Sequence, residues 1–490
     1  MTDFIAGRAA GGLFGEEIPD PKSDAIQEEL CPCGTSRTLQ DKEVFQTLSC
    51  IARKNSIMVV ANMADKQPCN RCEDDICPTD GHYQFNTEVV FNKSGCLVAR
   101  YHKENLFRIE KEAFDVPSKP ERIYFDTEFG RFGLMICYDS VFETPVELVT
   151  MFDVTDIIFS TAWVYVYPHF LSVGFHSGLA RTLKVNYLSS NIHYFPGKLI
   201  GSGIYSPNGI LGYTYDTVST SGKLVVARVP INKARAKTSV IPGSKRNSNF
   251  VKDAESDKFD FKGKIHRNEF LFKSLKGKTG HISICSGAVC CELEYSRTRS
   301  DEPFALGVFD GVHYGSQPYY LEVCLFVLCV DKTSCGYKMA DHTDTIFENY
   351  RLTGHMETFY AFPEVFTPDL KFDTTSWQFD DFGRTKSISD KNVKVGTVVS
   401  VGRNFDKDPE NKRPTTDRVG GTSAAITTMS ASFAFTYINV VFFNALSLSF
   451  VLVLSAIHIH LLWLRGIHYL TTNHCILIFL PHYNKHELKA

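Results

Sequence analysis

Arg131-Phe132-Gly133-Leu134-Met135-Ile136-Cys137-Tyr138-Asp139 is the stretch on which the reading of this chain turns. Phe132 to Ile136 is a short apolar run with the make-up of a buried strand, and residues 141–152 take up helical spacing. Cys137 falls at the junction. A thiol between a strand end and a helix start feels the positive end of the helix dipole, which favours thiolate. A buried structural cysteine would occupy the same place, so position alone leaves both readings open. A second segment, Tyr101-His102-Lys103-Glu104-Asn105-Leu106, reads as a strand ending in His-Lys. It puts Lys103 on a loop at a sheet edge, as a solvated side chain or as a cation serving a site.

Around these two segments strand and helix patterns alternate as far as residue 230. Residues 41–55 have helical spacing (Val44, Leu48, Ile51), with Asp41 as a candidate N-cap, and residues 56–61 read as a buried strand. Residues 88–91 and 96–101 are strands joined by the turn Asn92-Lys93-Ser94-Gly95. A strand at 156–161, a helix at 170–184 and hairpins across 204–229 complete an α/β domain over residues 1–230. Residues 231–260 are a polar linker, and residues 261–405 are short β-like segments among Gly and Pro turns, a β-rich second domain. Residues 406–432 form a stalk, 433–464 a hydrophobic segment and 465–490 a tail.

The chain has 490 residues, 43% hydrophobic and 22% charged, with a net charge of −3. That excludes wholesale disorder, a collagen repeat and a strongly basic nucleic-acid binder, so no nucleic-acid partner is expected. Of 15 cysteines, seven lie in the first hundred residues and six between Cys285 and Cys335, leaving Cys137 and Cys475 apart. Cys69-x-x-Cys72 with Cys77 could hold zinc. No second pair follows at finger spacing, and the adjacent Cys290-Cys291 chelates poorly, which favours disulfides and an oxidising compartment. The sequon Asn92-Lys93-Ser94 makes Asn92 a glycosylation candidate. No entry signal is visible near Met1.

From Val419 to Leu464 there is no Asp, Glu, Lys or Arg, a run longer than the ~20 residues that cross a bilayer. Two attachments fit. Small residues around Ser423 can form a GPI attachment site with a removable tail, or the run can be a single spanning helix with Arg465, Lys485 and Lys489 in the cytosol. A GPI signal normally stops with its apolar tail, whereas ~26 residues follow Leu464, and the two alternatives stay open. Either places the protein at the outer face of the plasma membrane.

Taken together, residues 131–139 with Phe142 and Pro145, and Tyr101-His102-Lys103-x-Asn105-Leu106-Phe107, resemble the nitrilase superfamily of carbon–nitrogen hydrolases. The likeness is to its vanin (pantetheinase) and biotinidase branch. Ser160-Thr161-Ala162-Trp163, Ser190-Asn191-Ile192-His193-Tyr194, Cys290-Cys291 and Ala305-Leu306-Gly307-x-Phe309-Asp310-Gly311 extend it from about residue 16 to 405. Thr144 departs from the Asp usual in the branch.

The resemblance implies an α-β-β-α sandwich followed by a β-rich C-terminal domain, and a thiol-dependent hydrolase of linear amides such as pantetheine or biotinyl amides. It implies Cys137 as nucleophile, Lys103 as oxyanion stabiliser and Glu110 as a candidate supporting acid. Trp163 and Tyr165 are candidate pocket residues, and no metal or organic cofactor is implied. The family's general acid/base glutamate lies in a Pro-Glu-Asp segment upstream of Ile18-Pro19-Asp20-Pro21, and no counterpart is visible. Glu16 and Glu17 fall too late to serve. That predicts a longer parent form carrying both a signal peptide and the glutamate. The alternative is a catalytically impaired surface protein that keeps the fold for binding.

Overall fold

In the computed structural model, helix α1 (Glu43–Asn55) buries Phe45, Leu48 and Ala52 on one face. The described residues are 8, 12, 14–23, 27–34, 42–219, 221–232, 258–331, 334–335, 342–368, 372, 377–379, 385–389, 391–409 and three short strands within 438–478. Asp41, Ser423 and most of the linker, stalk and tail lie outside them. Lys42 holds the N-cap position without a side-chain bond. Glu16 caps the helix from outside instead, accepting from the N–H groups of Val44 and Phe45 at 2.7 and 2.8 Å. A buried carboxylate at a helix N-terminus satisfies orphan donors and the dipole together.

α1 packs on a first sheet containing β1 (Met58–Pro68), β2 (His82–Phe91) and β3 (Leu97–His102), all antiparallel. The β2–β3 turn needs Gly95, whose φ is +80° and where a Cβ would meet the Ser49 carbonyl oxygen at 2.6 Å. A second sheet runs in sequence order through β4 (Tyr124–Thr127), β5 (Gly130–Ile136), β6 (Asp156–Thr161), β7 (Asn186–Asn191), β8 (Ser202–Ser206) and β9 (Gly209–Thr214). β5, β6 and β7 are parallel and their flanks antiparallel. Leu134, Ile136, Ile158 and Leu188 from this sheet meet Val60 and Val90 from the first in the inter-sheet core. The other face of the second sheet carries α2 (Thr144–Met151) and α3 (Ser172–Leu183). The result is the expected α-β-β-α sandwich.

Residues 141–152 are not one helix. A five-residue 3-10 turn, Cys137–Val141, comes first, and α2 starts only where Pro145 can occupy its first turn. Ile438–Phe443, Phe450–Ser455 and His474–Ile478 are strands of the first sheet, between β1 and β10 (Lys223–Arg228). Among the described residues no helix is long and apolar enough to cross a membrane. An apolar run without periodic charge does not by itself distinguish a buried strand from a helix.

The C-terminal domain is two antiparallel sheets, one built on the long strand Pro318–Asp331 and the other on Phe347–His355. Six disulfides tie the described parts: Cys31–Cys96, Cys33–Cys50, Cys69–Cys77, Cys285–Cys290, Cys291–Cys324 and Cys329–Cys335. Cys72, exposed, and Cys137 are free thiols, and no metal-binding group occurs among the described residues. The two domains are joined through α3. Glu364, fully buried, accepts from the N–H groups of Phe170 and Leu171 at 3.0 and 2.8 Å, just ahead of that helix.

Candidate active site

Strand β5 delivers Cys137 to the end of the second sheet, where its φ of +48° puts a non-glycine residue in the left-handed region. Such a conformation survives only where its surroundings enforce it. Asp139 is what enforces it. Its Oδ2 accepts from the Ile136 N–H at 3.0 Å and the Tyr101 hydroxyl at 2.8 Å. Its Oδ1 accepts from the backbone and side-chain N–H groups of Asn105 at 2.9 and 3.0 Å. One buried carboxyl thereby locks the turn around Cys137 to the loop that carries Lys103. Tyr138, Ser140 and Val141 are buried while Cys137 keeps partial exposure.

Lys103 is not a solvated side chain: it is fully buried at the end of β3. Its Nζ donates to Glu110 Oε2 at 2.5 Å. Glu110, at the start of the short helix Glu110–Ala113, also accepts from the Phe107 N–H at 2.7 Å and from Asn86 Nδ2 at 2.9 Å. Burial opposes the charge on Lys103, but Glu110, Cys137 and Asp139 together raise its pKa. The structure thus brings Cys137, Lys103 and Glu110 into one electrostatic cluster.

The thiol differs from expectation in one respect. Burial pushes the Cys137 pKa above its ordinary value, and Lys103 pulls it down less than burial raises it. Thr161 and the Ala162 backbone favour the thiolate, and Glu110 opposes it. No long helix begins at Cys137, so the helix dipole expected there is replaced by a single cation. A neutral resting thiol needs a base before it can attack.

Trp163 and Tyr165 are both 7% exposed. Trp163 stacks on Phe175 at 5.4 Å and spends its indole N–H on the Phe170 carbonyl at 3.0 Å. Tyr165 packs edge-on to Tyr215 and against Phe366 of the second domain. Both are core packing here. Asn92 sits at the tip of the β2–β3 hairpin, its Oδ1 accepting from the N–H groups of Ser94 and Cys96.

Sequence reasoning passed over Asp139, Tyr101 and Glu88. Asp139 lies two residues after the cysteine, and Glu88 is a lone charge in the apolar run Glu88-Val89-Val90-Phe91. Burial pushes the Glu88 carboxyl up to about 8, against the Ser160 hydrogen bond and with help from the charge on Asp139.

Residues 27–168 match the carbon-nitrogen hydrolase family and residues 259–408 the vanin C-terminal domain. The chain is 39% identical to human pantetheinase over 398 residues, 80% of this chain and 75% of that one. Pig pantetheinase is 40% identical over 413 residues, 83% and 78% of the two chains. Human biotinidase is 32% identical over 410 residues, 77% and 74%.

Proposed function

The chain belongs to the carbon–nitrogen hydrolase family and carries the vanin-type C-terminal domain, and from that premise we propose that it hydrolyses pantetheine-like amides through Cys137. It is a hydrolase of amide bonds, related to pantetheinase and biotinidase alike. Sulfur adds to the amide carbonyl carbon, and the oxygen gains charge that the Lys103 ammonium stabilises. The C–N bond then breaks, the amine leaves with a proton, and water hydrolyses the thioester. Glu110 holds Lys103 in register with the sulfur. The observation that carries this reading is the buried Lys103–Glu110 pair beside a free thiol held in a left-handed turn. Pantetheine is preferred over biotinyl amides on the higher identity to the pantetheinases.

The disulfides support folding in an oxidising compartment and extracellular exposure. We also propose attachment to the outer face of the plasma membrane through the charge-free run, by a GPI anchor near Ser423 or a spanning segment, with Asn92 glycosylated. The test of the activity is release of free amine from pantetheine by the folded, disulfide-bonded chain beside its Cys137→Ala variant. Turnover by the parent and none by the variant is expected. Equal rates in the two would remove Cys137 from the chemistry, and no turnover by a properly folded parent would leave a binding protein.

A further inference from the structure

Cys137 and Lys103 come from different elements, and Phe107 and Arg108 lie along the seam between them. Glu110 Oε2 accepts from the Lys103 Nζ at 2.5 Å and from the Phe107 N–H at 2.7 Å, so one oxygen joins this backbone to the ammonium. The Phe107 ring meets Tyr138, the residue after Cys137, edge-on at 5.1 Å. Arg108 follows, exposed, with φ at +35°, a left-handed conformation that a non-glycine residue keeps only under constraint. The constraint comes from the second domain. Its hairpin between Phe304–Tyr314 and Pro318–Asp331 reaches the seam, and three hydrogen bonds fix it there. Ser316 Oγ accepts from the Arg108 N–H, the Ser316 carbonyl from Lys111 Nζ at 2.9 Å, and the Gln317 carbonyl from the Tyr138 hydroxyl at 3.4 Å.

The residue anchored in this way carries a charge without a counter-charge. Its guanidinium lies 5.5 Å from the centre of the Phe107 ring, a cation–π contact that takes up none of its N–H donors. Arg100, Arg122 and Arg131 of the same domain each pair with a carboxylate, whereas among the described residues Arg108 pairs with none. The carboxylates beside the seam are spent elsewhere: Glu110 on Lys103, Glu104 on Arg122, and Asp139 on four hydrogen bonds. The local field is positive as a result. Burial first, and then Arg108, Arg267 and Arg403, push His313 down to about 4. Tyr138, raised by burial, is pulled the other way by Arg403 and Arg108. Arg403 has Asp408 to balance it and Arg108 has no such partner. A merely solvated arginine needs neither a strained backbone nor an anchor from a second domain.

We propose that Arg108 sets the specificity of this site, receiving a phosphate or carboxylate borne by the amide substrate. This rests on the amidohydrolase reading above. The planar fork matches either anion with two parallel N–H···O bonds, while Lys103 is held by Glu110 for the oxyanion. A neutral amide reaches the same thiol without that second point of attachment. The favoured substrates are therefore anionic amides, with neutral pantetheine as a weaker member of the class.

The test uses the whole disulfide-bonded chain in a Cys72→Ser background, as parent, Arg108→Gln, Arg108→Glu and Arg108→Lys. At low ionic strength kcat/KM is measured on pantetheine, on its 4′-phosphate, and on N-pantothenoylcysteine, which places a carboxylate on the amine side of the scissile bond. The parent should prefer at least one anionic amide over pantetheine, and that ratio should fall about tenfold or more in Arg108→Gln. Arg108→Glu should lower it further, Arg108→Lys should keep part of it, and added salt should erode it in the parent. The anion that gains identifies phosphate or carboxylate as the group received. A parent with no preference for either anion overturns the proposal without need of a folded variant, and so does a ratio that Arg108→Gln leaves unchanged. Should the parent cleave no amide, the activity reading fails by itself, and Cys137 alkylation by iodoacetate against iodoacetamide decides. An anion-to-neutral rate ratio about threefold lower in Arg108→Gln, and lower again in Arg108→Glu, sustains Arg108 as the anion-receiving group. A ratio unchanged in both removes it.

Discussion

Replacing Lys103 by methionine keeps the stem and removes the charge, which separates what this residue does for the fold from what it does for the chemistry. The ammonium is fully buried and paired with Glu110, whose side chain is 16% exposed. Breaking a buried pair from one side costs about 3–5 kcal/mol. Glu110 keeps its bonds from Phe107 and Asn86 and some contact with water, so the low end, about 3 kcal/mol, is expected here. At roughly 2–4 °C per kcal/mol for a domain of this size, thermal unfolding should fall by about 6–12 °C. Loss of an oxyanion donor should lower kcat by about 10²–10³. The thiol, deprived of the cation that opposes its burial, also shifts further toward the neutral form.

The double variant Lys103→Met/Glu110→Gln tells these effects apart. With no carboxylate left uncompensated, most of the lost stability should return, because the amide oxygen can still accept from the Phe107 N–H. Activity should not return. Thermal melts and amine-release assays on the parent, both single variants and the double variant complete the cycle. Activity recovering in step with stability would refute the reasoning, since Lys103 would then only neutralise Glu110. So would a Lys103→Met protein whose kcat/KM stays within threefold of the parent.

Glu364→Ala leaves two N–H groups ahead of α3 without acceptors, at about 1–3 kcal/mol each, so its urea midpoint should drop clearly. Glu364→Gln, with one acceptor left, should fall between that variant and the parent. His102 lies between Asp65 at 2.8 Å and Glu121 at 3.1 Å, and these carboxylates raise its pKa although burial acts to lower it. Its contribution to stability is therefore complete below the unfolded value of about 6.5 and fades as pH rises through the raised folded value. The stability gap between parent and His102→Phe should narrow from pH 6 upward, and a gap that widens instead would contradict the assignment. The strands Ile438–Phe443, Phe450–Ser455 and His474–Ile478 cannot pair in the first sheet and cross a bilayer at the same time. Partition of the expressed chain into a detergent phase, abolished by deleting residues 433–464, is expected if the anchor exists, and recovery wholly in the aqueous phase would dismiss it.

What was legible in the sequence followed local rules. The strand ending at Ile136 is an apolar run between Gly133 and the polar Tyr138-Asp139, so its end and Cys137 could be placed by pattern alone. The burial of Lys103 could not, because it depends on Glu110 folding back from a four-residue helix seven positions away. Cys137 was expected to be acidified by a helix, and the five-residue turn replaced that with burial opposed by one lysine. Seven cysteines in the first cluster are an odd number, and Cys72 is the one left as a free thiol. The pairing itself needed three dimensions. Cys290 and Cys291 are neighbours on one strand, so their side chains point to opposite faces, one to its hairpin partner Cys285 and the other to Cys324. Glu88 escaped notice because the strand was read as starting there, whereas β2 begins at His82 and carries the residue deep between the sheets.

The C-terminal domain supplies none of the groups placed in the reaction, yet it borders the nucleophile turn. The fully buried Arg403 guanidinium donates from Nε to the Val141 carbonyl at 2.6 Å, is paired with Asp408, and lies 4.9 Å over the Tyr319 ring. Tyr319 in turn meets Tyr138 and Phe142 edge-on at 6.3 and 5.9 Å. The 3-10 turn that begins at Cys137 therefore has its carbonyl end bonded and its aromatic residues packed by the second domain. A left-handed residue persists only under constraints from its surroundings. Here Asp139 supplies them from within the first domain, and Arg403 with Tyr319 from the second. Glu364 makes a further cross-domain contact at the N-terminus of α3. On this geometry the second domain is part of the frame that holds the thiol in its turn, which gives a physical reason for the two domains to occur in one chain.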